Sequence, residues 1–165
     1  MLERRDDPVN LVLMERAYIG LGSNLGPRED TLRRAVELLD DEDGIEVGAV
    51  STLRETDPVG FVDQPAFVNG AVAVDTSLSP RELLEALLRV ERALGRVRGG
   101  ERWGPRTVDL DLLVYGNRVV DQPGLRVPHP RLHERRFVLD PLVELDPRLV
   151  IPGRGTVSEL LEGLH

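Results

Sequence analysis

Two residue types are missing from this chain altogether. Cysteine is absent, which excludes thiol nucleophiles, disulfide frameworks and thiolate zinc sites. Lysine is absent too, because all 21 positively charged residues are Arg. That excludes a Schiff-base lysine and a phosphate loop of the GxxxxGK[ST] kind, so any phosphate must be held by guanidinium forks, helix ends or metal ions. Aromatic residues are few, with one Trp, two Tyr and three Phe, and they are not clustered as a base-stacking sheet would need. Long apolar runs are also lacking. The stretch at 9–14 is broken by Asn10 and is too short for a signal core or a membrane span. The protein is therefore expected to be cytoplasmic, with no membrane partner. A net charge of −8 argues against a broad nucleic-acid surface, which needs a basic face to neutralise many phosphates.

What is present fits one globular domain: 165 residues, 41% of them hydrophobic. At that length a fold buries roughly 70% of the surface its unfolded chain exposes, so stability needs neither a disulfide nor a structural metal. Residues 1–16 read as an N-terminal extension, expected to be poorly ordered, ahead of a single domain at 17–165.

Residues 17–21 form a short apolar strand that ends in Gly22-Ser23-Asn24-Leu25-Gly26, a glycine-bearing turn. A helix follows, with Pro27 suited to its first position, Leu32, Ala35, Val36 and Leu39 at helical spacing, and Gly44 closing it. Residues 45–55 and 67–76 read as strands joined by a turn-rich working loop. Ser79-Pro80-Arg81-Glu82 is a capping box opening a second helix, whose stripe is Leu83, Leu84, Leu87, Leu88 and Leu94 and whose stop is Gly95. Residues 107–115 alternate and reach Gly116-Asn117, which predicts a hairpin with 118–120. A third helix lies within 133–145, with Pro141 either beginning or kinking it, and Thr156-Val157-Ser158-Glu159 caps a short last helix. This order is α+β: a ferredoxin-like βαββαβ antiparallel sheet with helices packed on it, plus a C-terminal hairpin and short helices.

On the strand 107–115, Val108, Leu110, Leu112 and Val114 are expected on one face, leaving Asp109 and Asp111 together on the other. Their Cα atoms would be about 6.6 Å apart, close enough to share one or two hard cations with substrate phosphate. A solvated polar face is the competing reading. The neighbourhood favours the metal. Between Gly95 and Arg136 stand nine Arg (Arg96, Arg98, Arg102, Arg106, Arg118, Arg126, Arg131, Arg135, Arg136) against five acids (Glu101, Asp109, Asp111, Asp121, Glu134), a net of +4 in a chain of net −8. A metal-assisted polyphosphate site needs that concentration of positive charge. Gly95-Arg96-Val97-Arg98-Gly99-Gly100 can move two guanidinium groups over a nucleotide. His129, between two prolines, sits in extended backbone and suits a phosphate contact; a buried structural histidine is the alternative.

The runs Tyr18-Ile19-Gly20-Leu21-Gly22-Ser23-Asn24-Leu25-Gly26, Glu101-Arg102-Trp103-Gly104-Pro105-Arg106-Thr107-Val108-Asp109-Leu110-Asp111 and Val127-Pro128-His129-Pro130 closely resemble the 6-hydroxymethyl-7,8-dihydropterin pyrophosphokinases of folate synthesis. Asp63-Gln64-Pro65 and Phe67-Val68-Asn69 fall in that family's order as well. The resemblance implies transfer of the β,γ-diphosphate of ATP to the pterin hydroxymethyl group with release of AMP. It implies two Mg²⁺ ions held by Asp109 and Asp111, and Arg96 and Arg98 as catalytic cations. Arg98, Arg106, His129 and Arg135 would contact ATP phosphates, with Glu91 and Trp103 near the nucleotide. Thr56, Val59, Asn69 and Trp103 would bind the pterin, its ring between Phe67 and Phe137. ATP and the pterin are the expected partners of a monomer.

The chain departs from the family pattern at Gly99, where a basic residue can stand, at Phe67 in place of tyrosine, at Pro130 in place of an aromatic, and at Gly124 where an Arg can contact ATP. Two other classes stay open on the residues themselves: a DxD metal-dependent sugar-nucleotide transferase and a non-enzymatic ferredoxin-like RNA-binding module.

Overall fold

The structure, a computed structural model, describes residues 13–24, 27–56, 67–95 and 108–164. In chain order the elements are β1 (Glu15–Ser23), α1 (Arg28–Asp40), β2 (Ile45–Val50), β3 (Arg54–Thr56), β4 (Phe67–Thr76), α2 (Pro80–Gly95), β5 (Val108–Tyr115), β6 (Val120–Gln122), β7 (Leu125–Val127), α3 (Arg136–Leu145), β8 (Val150–Ile151), β9 (Gly155–Thr156) and α4 (Val157–Glu162).

The main sheet runs β2-β4-β1-β5, with β3 also on β4, and every pairing is antiparallel. This is the expected βαββαβ sheet. Both faces are covered. On one face Ile19, Leu21, Val72, Val74 and Leu112 pack with Leu32, Ala35 and Leu39 of α1 and Leu83, Ala86 and Leu87 of α2. On the other, Tyr18, Ala71, Ala73, Leu113 and Val114 pack with Leu139 and Leu142 of α3 and Val157 of α4. Each fully buried Leu or Ile contributes roughly 1.5–3 kcal/mol, so both layers hold the sheet between them.

The capping signals act as their chemistry predicts. Ser79 N–H donates to Glu82 Oε1 at 2.8 Å and Glu82 N–H to Ser79 Oγ at 3.1 Å, opening α2 at Pro80. Thr156 and Glu159 make the same reciprocal pair at 3.0 and 3.1 Å ahead of α4.

Several local expectations are corrected. Strand β1 begins at Glu15, where Arg16 pairs with Asp75 at 2.8 Å. Pro27 precedes α1, and the helix ends at Asp40; Gly44, at φ +87°, instead makes the left-handed turn into β2. The single strand expected at 45–55 is two, β2 and β3, because Ser51–Leu53 leave the ladder between them. In α2 the buried stripe is Leu83, Ala86, Leu87 and Val90, while Leu88 is 41% exposed.

The β1–β5 register shifts between Tyr18 and Ile19, which pair with Val114 and Leu112, so Leu113 is the extra residue. One inserted residue reverses the alternation, and Val114 joins Leu113 on the α3 face rather than Leu110 and Leu112 on the α2 face. The expected hairpin of β5 with 118–120 does not form either. Val120 pairs with Val127 instead, closing β6 and β7 around Gly124 at φ +76°. Pro141 lies inside α3.

The stripe correction is measurable. Leu87→Ala should lower unfolding free energy by about 2–5 kcal/mol through lost burial and a residual cavity, whereas Leu88→Ala should stay within about 0.5 kcal/mol. Urea denaturation of the two variants decides which leucine faces the core.

Candidate functional site

The cross-strand register assembles one face of the sheet. Gly22 lies between Asp109 of β5 and Asn69 of β4, and Gly20 lies between Asp111 and Ala71. Directly opposed residues in a sheet share a face, and Ala71 packs on the α3 side. The two aspartates, the two glycines and Asn69 are therefore all turned toward α3. Arg54 pairs with Asn69 and Thr56 with Phe67, so β3 adds its alternate residues to the same face.

Above this row is a cavity of about 520 Å³, within the usual range for a small-molecule site. Its floor is Gly20, Gly22, Asn69, Gly70, Asp109, Asp111 and Leu113, and its walls include Thr56, Phe67, Arg135 and Phe137. The glycines make the floor low: a Cβ built at Gly22 would come within 3.0 Å of Asn69 Nδ2. Thr56 Oγ1 donates to Asn69 Oδ1 at 2.5 Å. That bond occupies one acceptor position of the amide and orients its NH₂ over Gly22, where it can donate to a ligand edge.

The expectation that Asp109 and Asp111 point the same way holds, and both are exposed. Among the described residues no group of three or more His, Asp or Glu side chains could cage a metal. A two-carboxylate donor set nevertheless fits Mg²⁺, which prefers hard oxygen ligands and completes its shell from water and substrate phosphate.

Phe137 stands under Arg135, whose guanidinium carbon is 5.7 Å from the ring centroid. His129 is half-buried, and its backbone N–H donates to Leu113 O at 2.9 Å. Burial pushes its pKa below the ordinary histidine value, and Arg135 and Arg131 push it the same way against the pull of Asp111. Nδ1 accepts from Arg131 N–H at 3.1 Å, so in the neutral ring the proton stands on Nε2 as a donor.

Glu91 of α2 occupies a different place. One carboxylate oxygen accepts from Leu110 N–H at 2.7 Å, holding the strand segment between the two aspartates. Its pKa is raised, first by burial and then by the charges of Asp109 and Asp111, with the Leu110 hydrogen bond opposing. It does not line the cavity.

The cavity thus brings together Thr56, Phe67, Asn69, Asp109, Asp111, Arg135 and Phe137. Val59, Arg96, Arg98, Trp103 and Arg106 lie outside the described residues. Sequence reasoning missed Gly20 and Gly22 as the floor, although glycine at alternate positions inside a strand is the signal of close approach. It also counted Arg131, Glu134 and Arg136 only as part of a charged segment, whereas all three line the cavity. Arg131 faces Glu134 at 3.3 Å and Arg136 faces Asp140 at 3.8 Å.

An α+β sandwich with a carboxylate-floored, ligand-sized cavity defines a small-molecule enzyme. Residues 18–147 match the family model of 7,8-dihydro-6-hydroxymethylpterin-pyrophosphokinase (HPPK), and the chain belongs to that family. It is similar to a 2-amino-4-hydroxy-6-hydroxymethyldihydropteridine pyrophosphokinase of Bacillus subtilis, 53% identical over 78% of this chain and 77% of that protein. A protein of the same name from Pseudomonas aeruginosa is 44% identical over 90% of this chain and 91% of its own length.

The fold is also that of a solved HPPK-DHPS in complex with substrates, with a TM-score of 0.72 at 11% identity. The match covers 91% of this chain but only 43% of that longer one. The sugar-nucleotide and RNA-binding alternatives find no support among these relatives. No helix of the described residues is long and apolar enough to cross a membrane.

Glu91 offers a direct electrostatic check. A carboxyl whose folded pKa is raised contributes stability below its unfolded value, near 4.5, and loses it as pH rises through the folded value. Glu91→Gln should remove that loss while keeping an acceptor for Leu110. Carboxyl NMR should show the Glu91 pKa falling back toward the ordinary value in Asp109→Asn or Asp111→Asn.

Proposed function

We propose that the protein transfers the β,γ-diphosphate of ATP to the hydroxymethyl group of 6-hydroxymethyl-7,8-dihydropterin, releasing AMP, as a cytoplasmic monomer whose residues 17–165 act as one domain. The observation that carries this reading is the meeting of Asp109 and Asp111 with Thr56, Asn69, Phe67 and Phe137 on one cavity in a chain of this family. The pterin hydroxyl oxygen forms the new bond to the β-phosphorus, the bridge from that phosphorus to the α-phosphate oxygen breaks, and the hydroxyl proton is released.

Asn69 and Thr56 would hold the polar edge of the pterin, and Val59 and Trp103 would help enclose it. Phe67 and Phe137 would take its faces, where offset stacking is worth about 0.5–1.5 kcal/mol per ring beyond area burial. Asp109 and Asp111 would hold two Mg²⁺ ions. Such ions, when bound, neutralise polyphosphate charge and polarise the oxygens around the reacting phosphorus.

Around the phosphates, Arg135 would supply a guanidinium and His129 a neutral Nε2–H donor. Arg106, Arg96 and Arg98 would complete the cationic shell, the last two acting as charge develops. Glu91 would act near the adenosine through the strand it fastens, and Trp103 would close on the nucleotide.

Incubation with ATP, Mg²⁺ and the pterin should yield AMP and the pterin diphosphate together. ADP in place of AMP would mean transfer of a single phosphoryl group and would overturn the mechanism. Asp109→Ala or Asp111→Ala should lower kcat by about 100-fold or more; activity within a few-fold of wild type at saturating Mg²⁺ would remove the metal assignment. Arg96→Ala and Arg98→Ala should reduce kcat more than they weaken ATP binding, since the contacts they remove tighten toward the transition state. Steady-state kinetics alongside nucleotide titration separates the two effects.

A further inference from the structure

The cavity has two walls that come from separate parts of the chain. One is the start of α3, through Arg136, Phe137 and Val138. The other is Thr56 of β3 with Phe67 of β4. A flat ring held between Phe137 and Phe67 needs these walls at a set separation. Their covalent connection cannot set it, because β3 and α3 are far apart in sequence.

Glu144, in the last turn of α3, joins them in space. Its Oε2 accepts from Thr52 N–H and from Thr52 Oγ1, both at 2.9 Å, and its Oε1 accepts from Arg54 Nη2 at 3.2 Å. Arg54 begins β3, two residues before Thr56. Glu144 and Phe137 are seven residues apart, so they share a face of α3 about 10.5 Å from one another along the axis.

The segment that Glu144 grips is itself pinned to β4. Ser51 N–H donates to Ala71 O at 2.9 Å, and Ala71 N–H donates to Ser51 Oγ at 2.9 Å. Beneath it is Gly70, where an added Cβ would meet Leu53 Cδ2 at 2.6 Å and Ser51 Oγ at 3.0 Å. With the segment seated this closely on β4, the Glu144 bonds hold α3 against the β3–β4 wall.

We propose that Glu144 is a positioning residue for the aromatic-ring half of the cavity. It touches no ligand, and its three bonds set how far Phe137 stands from Phe67 and Asn69. This rests on the pterin reading of the cavity.

The test compares Glu144→Ala, Glu144→Gln and Thr156→Ala, the last weakening the α4 cap that packs behind α3 without touching the Glu144 bonds. Calorimetric titration with 6-hydroxymethyl-7,8-dihydropterin, in saturating Mg²⁺ and a non-hydrolysable ATP analogue, should show a three- to tenfold higher Kd for Glu144→Ala, with the KM for ATP within twofold of wild type. Glu144→Gln keeps an oxygen for both Thr52 bonds but turns an amide NH₂ toward Arg54, and should give a pterin Kd between those of wild type and Glu144→Ala. Thr156→Ala should leave the pterin Kd unchanged even where its melting temperature falls as far. An unchanged pterin Kd in Glu144→Ala, an equal loss in Thr156→Ala, or no recovery in Glu144→Gln would each overturn the proposal.

Amide hydrogen exchange reads the same device without ligand. Glu144→Ala should speed exchange at 52–56 and at 136–138 together; a change confined to Thr52 would overturn it. Wild-type protein with no affinity for the pterin, either alone or with Mg²⁺ and the ATP analogue bound, would defeat the functional reading, and the exchange result would then decide the positioning role alone.

Discussion

At two positions in the middle of the sheet, a side chain would stand in the floor of the site. Gly20 and Gly22 lie on β1 between β4 and β5, with the α3 face of the sheet above them. At Gly22 the space is already taken by the Asn69 amide, 3.0 Å from where a Cβ would stand, and at Gly20 Leu113 comes to 3.4 Å. Because β1 presents only backbone there, the carboxylates on one neighbour and the amide on the other face a shared floor. Everything later in the chain that serves the cavity is arranged around that opening: the bulge at Leu113, the start of α3, and the Arg135 guanidinium over Phe137.

The electrostatics divide along the sheet. A chain of net charge −8 gathers Arg131, Arg135 and Arg136 on the same cavity as Asp109 and Asp111. Cations and carboxylates gathered on one cavity can act on a polyanion and its counter-ions together. Burial, with this field added to it, shifts two groups at its edges. His129 is pushed below the ordinary histidine value by burial and by two Arg neighbours, against the pull of Asp111. Glu91 is pushed upward by burial and by the two aspartates whose strand it fastens.

Short-range chemistry was legible where a residue acts on its own neighbours. Ser79 with Glu82 and Thr156 with Glu159 close caps within four residues, and the alternation of β5 correctly turned Asp109 and Asp111 to one side. The errors fall where the partner is distant. Leu88 continues a helical spacing, but which stripe of α2 is buried depends on where the sheet lies. The turn at Gly116 is real, yet Val120 pairs with Val127 rather than with β5. Val114 changes face because one residue is inserted in the β1–β5 register, and no local pattern announces that insertion.

The sequence by itself determined the chemistry on offer: no thiol, no lysine, two aspartates in step on a strand, arginines concentrated around them, and runs that identify the pyrophosphokinase family. It also determined most elements, since caps, turns and alternation act over a few residues. Only the tertiary structure decided which side chains meet. It brought Thr56 onto Asn69, lowered the floor at Gly20 and Gly22, and carried Glu144 across to Thr52 and Arg54. The physical reason is range. Propensity and capping are written in neighbouring residues, whereas a cavity is the space left when strands and helices far apart in the chain pack to a common register.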